Sequence, residues 1–292
     1  MKPEHIGEQM AIDEKHINGQ FYTILTNGKT GKVAMMASTV NSTEIGQCLN
    51  YFGDSLKQVN TITRDLSPTY EKVSTTHFSN ATQVADKYHI VQQAIESVQE
   101  LRIRHKQEAL SAQRKEEKEH RQSYQKNKHN LCPKGEKLRK KNIPKRLENG
   151  ETKPEFLSRC NYLLYKKSHQ WTERQRNRAK LLFTHYPEIE KAYEYILEFR
   201  NWYDPAINKS NFMNKEKQLW TWIYDVETCK IDELLNFRNT VENNADYILN
   251  YYKQYATNAI AESTNAKIQG YIRDNKGTRD LDFFHYRLGL VL

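Results

Sequence analysis

No run of about 18 apolar residues occurs anywhere in this 292-residue chain, so no segment reads as a membrane-crossing helix. Met1 to Gln9 lacks the apolar stretch of a signal peptide, and a cytoplasmic location is the expectation. Cysteine is scarce: Cys48, Cys132, Cys160 and Cys229 lie far apart, with no Cys-x-x-Cys pair to suggest a zinc site or redox motif. They read as ordinary reduced thiols. Proline and glycine are missing from Tyr88 to Gln125, so nothing breaks a long helix there. Hydrophobic residues make up only 37% of the chain and mean hydropathy is -0.90, yet 18 Tyr, 10 Phe and 4 Trp supply large apolar anchors. The composition fits a folded protein with long solvated helices.

Positive charge is present in excess and concentrated. Between Arg102 and Arg146 there are 16 Lys/Arg against 5 Asp/Glu, so the formal +9 of the chain leaves -2 for everything else. Such a segment suits a polyanion partner, because each cation placed on a phosphate releases condensed counterions. The alternative is a solvated helix face followed by a flexible basic loop.

The first 85 residues read as α/β. Strands are predicted at Gln9 to Lys15 and Gln20 to Thr26; Asn27-Gly28 through Gly31 supplies turn chemistry, and Lys32 to Ala37 returns as the other hairpin arm. Ser42-Thr43-Glu44 opens a short helix that Gly53 ends. Val59 to Asp65 alternates as a strand, Pro68 to His77 suits a helix, and Ala81 to Asp86 makes a fifth strand. The order βββαβαβ is the strand plan of ribonuclease H-like folds, and other α/β proteins share it. Past Asp86, Ile90, Ala94, Val98 and Leu101 recur at helical spacing. Asn130 to Pro154 collects Pro133, Gly135, Pro144, Gly150 and Pro154, a loop signature. Helices are expected again over Glu155 to Trp202, Lys215 to Tyr224 and Ile231 to Ile268. The predicted organisation is a core begun by 1–101, interrupted by a helical insertion with a basic linker at 102–250, and completed by 251–292.

Three carboxylates stand where metal chemistry needs them. Asp13 is predicted to close the first strand and Asp65 the fourth, while Glu262 lies on a late helix. Acids on rigid elements hold metal geometry well. Their hard oxygens suit Mg²⁺ or Mn²⁺, and two such ions about 3.5–4 Å apart serve both the attacking and leaving oxygens of phosphoryl transfer. Ala259, Ala266 and Gly270 share Glu262's helix face, and small residues there would let that face approach the sheet. The competing readings are a turn or cap role for each Asp and a solvent-facing Glu.

Four stretches, taken in order, resemble the DDE transposases of bacterial insertion sequences, above all the ISL-three family and its ISAon-one-type relatives. They are Ala11-Ile12-Asp13-Glu14, Thr63-Arg64-Asp65-Leu66-Ser67-Pro68-Thr69-Tyr70, Val84-Ala85-Asp86-Lys87-Tyr88-His89-Ile90 and Ala261-Glu262-Ser263-Thr264-Asn265-Ala266-Lys267-Ile268, with Tyr286-Arg287-Leu288 resembling the family's ending. The resemblance implies a ribonuclease H-like catalytic core (βββαβαβ, then a final helix) interrupted by a large all-α insertion. It implies metal binding by Asp13, Asp65 and Glu262, with Mg²⁺ or Mn²⁺, two ions, as cofactor. It also implies DNA cleavage and strand transfer at transposon ends, and self-association in a synaptic complex.

The family's Asp-x-x-His motif maps onto Asp86 and His89, an accessory pair; the alternative is a helix-capping Asp and a partly buried His. Phosphate contacts are expected from Arg102, Arg104, Lys106, Lys137, Arg139, Lys140, Lys141, Lys267 and Arg273. Trp171-Thr172-Glu173-Arg174-Gln175-Arg176 resembles part of the family's helical insertion, and the four tryptophans are expected mostly in helix packing rather than stacked on bases. Met1 stands twelve residues before Asp13 and no zinc motif is present. End recognition is therefore expected from a separate N-terminal DNA-recognition protein or a lost module. Two other readings remain: a catalytically silent DNA-binding remnant that inhibits transposition, and a ribonuclease H-like nuclease or resolvase that cuts without joining.

Overall fold

The computed structural model describes residues 1–17, 19–127, 143–204, 206–254, 259–275, 283 and 286–287; side chains at 124, 126, 127, 254, 259–262, 265 and 272 lie outside that description. Two compact units divide the chain. One comprises 1–92, 208–221 and 239–292; the other comprises 93–207 and 222–238.

The first unit carries a mixed five-stranded sheet. Its strands are β1 (Gln9–Ile17), β2 (Gln20–Asn27), β3 (Val33–Ala37), β4 (Thr61–Arg64) and β5 (Thr82–Ala85), in spatial order β3-β2-β1-β4-β5. β1, β2 and β3 pair antiparallel, and β4 and β5 continue parallel to β1. The β1–β2 hairpin and the turn after β2 explain the first half. Asn27 Oδ1 accepts from the amides of Lys29 and Thr30, and Gly31 takes φ +74, a region that glycine enters without steric cost.

Parallel pairing needs crossovers, and two helices supply them. α1 (Ser42–Asn50) is capped by Asn41, whose side chain accepts from the amides of Thr43 and Glu44. It ends three residues before Gly53, which at φ +50 opens a 3-10 turn over Gly53–Gln58 and does not serve as the helix stop the sequence suggested. α2 (Pro68–His77) starts on the Ser67 cap with Pro68 in its first turn, where the missing N–H costs nothing.

Strand alternation gives the sheet two apolar faces. One buries Met10, Ile12, Leu25, Met35 and Ile62 with Ile45 and Leu49 of α1 and Tyr70 and Val73 of α2. The other buries Ile17, Tyr22, Ile24 and Val33 with Ile268 of α11 (Ala259–Asp274). Each such side chain contributes roughly 1.5–3 kcal/mol on burial. α11 is also tied down by the Thr264 hydroxyl, which donates to the Gly31 carbonyl at 2.8 Å. The buried side of its described part is thus Thr264 and Ile268. Ala266 is exposed and a Cβ built on Gly270 meets nothing within 4 Å, so neither of these two makes the close approach expected from the sequence, and the Ala259 side chain lies outside the described residues. A Thr hydroxyl and an Ile seat the described part. α10 (Ala245–Gln254) borders β5, where the Asn250 amide donates to the Gln83 carbonyl at 2.9 Å.

The second unit is helical. α3 (Lys87–Asn127) runs 41 residues, roughly 60 Å at 1.5 Å per residue, and begins in the first unit. Ala94, Val98 and Leu101 are buried, whereas most side chains beyond Gln107 are exposed. α4 (Lys153–Arg159) and α6 (Glu173–His185) each open on a capping box, Thr152 with Glu155 and Thr172 with Gln175. α5 (Asn161–Tyr165) lies between them, and α7 (Pro187–Trp202) starts on its proline. α8 (Phe212–Glu227) and α9 (Asp232–Asn243) are divided between the units, with 222–227 and 232–238 in the second and 212–221 and 239–243 in the first. Phe199 gathers Trp202, Trp222 and Phe237 at ring separations of 5.6, 4.9 and 5.2 Å.

Three tryptophans, Trp171, Trp202 and Trp222, are buried; Trp220 is exposed. Cys48, Cys160 and Cys229 are free thiols, and Cys132 lies outside the described residues. Among the described residues no helix is long and apolar enough to cross a membrane.

Candidate active site

β4 stops at Arg64, but β1 continues to Ile17, so Asp13 lies inside its strand rather than at its end. What ends beside Asp13 is the parallel pairing. The last pair of β1 with β4 is Ile12 with Arg64, and the last of β4 with β5 is Arg64 with Ala85. One step further along the same register come Asp13, Asp65 and Asp86, a single row of three acids across three adjacent strands. The Asp86 amide, donating to the Arg64 carbonyl at 2.7 Å, extends the ladder into that row.

Local structure fixes each acid differently. Asp65 Oδ1 accepts from the Ser67 amide at 2.8 Å, a tight turn that presents Ser67 as the cap of α2. Asp86 is buried; its Oδ1 accepts from the Tyr88 amide at 2.8 Å and its carbonyl from the Ile90 amide, which caps α3. Asp13 Oδ1 accepts from the Glu14 amide at 2.7 Å, and its Oδ2 faces Lys15 Nζ at 3.0 Å.

His89 joins the ends of this row. Its Nε2 stands 3.5 Å from Asp13 Oδ1 and 3.9 Å from Asp86 Oδ2. Asp86 thus caps α3 and His89 is partly buried, as the second sequence reading had it, with the His89 ring also beside Asp13. Burial pushes the Asp13 carboxyl up, but the His89 contact and Lys15 outweigh it and hold Asp13 below the usual carboxylate range. Glu14 moves the other way, raised by burial and by the charges of Asp65 and Asp13.

The hydrogen bond to Asp13 raises His89 above 6.5 against burial, with help from the Asp86, Asp13 and Asp65 charges. The stabilisation carried by protonated His89 is thus fully present below pH 6.5 and is lost as pH rises through the higher folded value. His89→Gln in metal-free protein is expected to flatten that part of the thermal-midpoint profile. A profile identical to that of the unaltered chain would contradict the contact.

Two further residues close to the row were not singled out from the sequence. Arg64 is almost wholly buried: its Nε donates to Gln83 Oε1 at 3.0 Å, its Nη1 to the Asp65 carbonyl at 2.9 Å, and its guanidinium lies 4.7 Å over the Tyr247 ring of α10. The Tyr70 hydroxyl, 3.2 Å from Thr23 Oγ1, is pushed up by burial and by the charges of Glu14, Asp65 and Asp13. Alternation along β1 is the signal that would have marked Lys15 as sharing Asp13's face.

The other expected site residues fall differently. The Glu262 side chain lies outside the described residues, as do Lys137, Arg139, Lys140 and Lys141. Among the described residues no three His, Cys, Asp or Glu side chains are spaced to hold a metal. Arg102 is buried, its Nε on Gln99 Oε1 at 2.7 Å and its Nη1 on the Leu157 carbonyl at 3.0 Å. Arg104 is spent on Glu233 and Glu188 at 2.7 and 3.0 Å. Arg102 is thus turned into the packing of α3, whereas the Arg104 side chain, engaged by the two glutamates, remains 40% exposed. Lys106 is half-buried, Lys267 exposed, and Arg273 exposed with Asp274 3.7 Å away. A cleft of about 420 Å³ lies in the helical unit, lined in part by His105, Glu108, Lys145, Arg146 and Tyr186, and contains none of the acids in the row.

A family model described as a transposase, the ISL-three type of DDE transposase, matches residues 10–141 and 135–288. The chain belongs to that family. Neither a search of curated proteins nor one of solved structures returns a match. The transposase match takes in Asp13, Asp65, Asp86, His89 and Glu262, and so covers both the row on the sheet and the helix packed across its face.

Proposed function

We propose that this chain is the catalytic subunit of a transposase: a ribonuclease H-like enzyme that cuts DNA at insertion-sequence ends and transfers the freed strand. The observation that carries it is the row of Asp13, Asp65 and Asp86 across three parallel strands, inside a chain whose family is that of the DDE transposases. The strand order β3-β2-β1-β4-β5, with three antiparallel strands followed by two parallel ones, supports the ribonuclease H-like reading.

The donor chemistry fits Mg²⁺ or Mn²⁺. Asp13 and Asp65 are hard carboxylates on rigid elements, and Asp13 is held ionised. They would hold the metal together with Glu262, the third ligand that the resemblance implies, whose side chain lies outside the described residues. Two bound divalent ions would supply activation of the attacking oxygen and stabilisation of the leaving one.

The chain's own groups do the rest. Asp13 and Asp65 bring negative charge to one edge, and Asp86 orients His89 against Asp13. The basic segment that follows, with Lys106, Lys267 and Arg273 and the residues at 137 and 139–141, would hold the DNA backbone without reading sequence. Recognition of the ends by a separate protein, and assembly of copies in a synaptic complex, belong to the same proposal.

A strand-transfer assay with paired element ends tests it. Joined products that require Mg²⁺ or Mn²⁺ support the reading, and cutting without joining points to a nuclease. DNA binding with no metal-dependent chemistry points to a silent remnant. Binding alone has its own expectation: the logarithm of affinity for duplex DNA should fall against the logarithm of salt with a slope of at least about -4, as for four or more phosphate contacts. A nearly flat salt dependence would contradict the polyanion role of the basic segment.

A further inference from the structure

Both oxygens of Asp13 are already engaged by the protein. Oδ1 accepts from the Glu14 amide at 2.7 Å and faces His89 Nε2 at 3.5 Å; Oδ2 faces Lys15 Nζ at 3.0 Å. Lys15 stands two positions after Asp13 on β1, on the same side of the strand. The pair is well shielded, with side-chain exposures of 22% for Lys15 and 15% for Asp13, so solvent screens it less than a surface pair. A divalent ion that takes Asp13 meets a cation on the oxygen it needs, and the two repel. Displaced from Asp13, the Lys15 ammonium requires another anion, and the DNA backbone supplies one. Lysine suits such an exchange: its ammonium is a compact point charge on a flexible stem, able to swing between partners.

We propose that Lys15 is a positioning residue that competes with the divalent metal for Asp13 and passes to a DNA phosphate as the metal loads. Metal and DNA then reinforce one another's binding, since coupling between two ligands is reciprocal. This rests on the reading of Asp13 as a metal ligand.

The test is Mn²⁺ binding to the full chain, followed by electron paramagnetic resonance of the free ion, with and without a short DNA duplex. Four proteins are compared: unaltered, Lys15→Met, Lys15→Arg and Asp13→Asn. Without DNA, Lys15→Met is expected to bind Mn²⁺ roughly three- to tenfold more tightly, the effect of removing one cation a few ångströms from the ion in a partly screened site. Its gain on adding duplex should be smaller than that of the unaltered chain, and Lys15→Arg should keep most of that gain because the charge remains. Lys15→Gln serves under the same criteria if Lys15→Met does not fold. Mn²⁺ affinity in the neutral variant equal to or weaker than that of the unaltered chain, or an undiminished gain from duplex, overturns the proposal. Asp13→Asn that binds Mn²⁺ as well as the unaltered chain overturns the ligand reading of Asp13 instead, so the two failures are told apart.

Discussion

Asp65→Asn protein is expected to lose metal-dependent DNA cleavage by about 10³-fold or more, the loss of roughly 4 kcal/mol of transition-state stabilisation. The substitution is chosen because it separates chemistry from folding. Asp65 Oδ1 accepts from the Ser67 amide, and the carbonyl oxygen of an Asn at this position can accept the same hydrogen bond. Ser67 therefore keeps its place as the cap of α2, and the turn after β4 survives. What is removed is one negative charge at the row of acids. Steady-state cleavage of a labelled duplex in Mg²⁺, with thermal unfolding as the control for folding, reads the effect. An unchanged rate in a well-folded variant would remove Asp65 from the mechanism.

The second large effect concerns stability. Arg64 lies directly before Asp65, is almost wholly buried, and bridges Gln83 of β5, the Asp65 carbonyl and the Tyr247 ring. Hydrogen bonds from a charged donor are worth about 1.5–3 kcal/mol each, and truncation also leaves a cavity in the packing. Arg64→Ala is therefore expected to lower the local stability of β4 and β5 by about 3 kcal/mol. Hydrogen exchange at the amides of these two strands measures it where it occurs, free of the behaviour of the helical unit. A change under about 1 kcal/mol would show that the neighbouring residues close over the gap. Because Arg64 holds Asp65's own carbonyl, the variant should lose cleavage as well as stability.

The sheet was legible because its strands alternate and its turns carry Asn27-Gly28 and Gly31. Element order came through intact: three antiparallel strands, then β4 and β5 after helical crossovers. Strand ends were harder to read. Asp13 was expected at a strand terminus because the residues before it are apolar, but β2 pairs with β1 as far as Ile17, and the break that matters belongs to β4. Register, which sequence does not display, is what aligned Asp13 with Asp65 and Asp86.

The basic segment shows a different difficulty. Counting charge between Arg102 and Arg146 located the cations but not their faces. Arg102 follows Val98 by four residues and so shares the stripe that packs, and Arg104 meets Glu188 and Glu233 from elements remote in sequence. Helical spacing was enough to foresee the first; the second needed the tertiary fold. In the described part of α11, Thr264 and Ile268, one polar and one large, bind the helix to the sheet, where the sequence had pointed to Ala266 and Gly270.

The central claim is that Asp13, Asp65 and Glu262 hold divalent metal together. Anomalous diffraction from crystals of the full chain grown with Mn²⁺ and a DNA duplex measures this directly. The account predicts Mn²⁺ coordinated by carboxylate oxygens of Asp13 and Asp65, with Glu262 of α11 completing the set. Mn²⁺ bound elsewhere, or bound by Asp13 and Asp65 with Glu262 turned away into solvent, would contradict it.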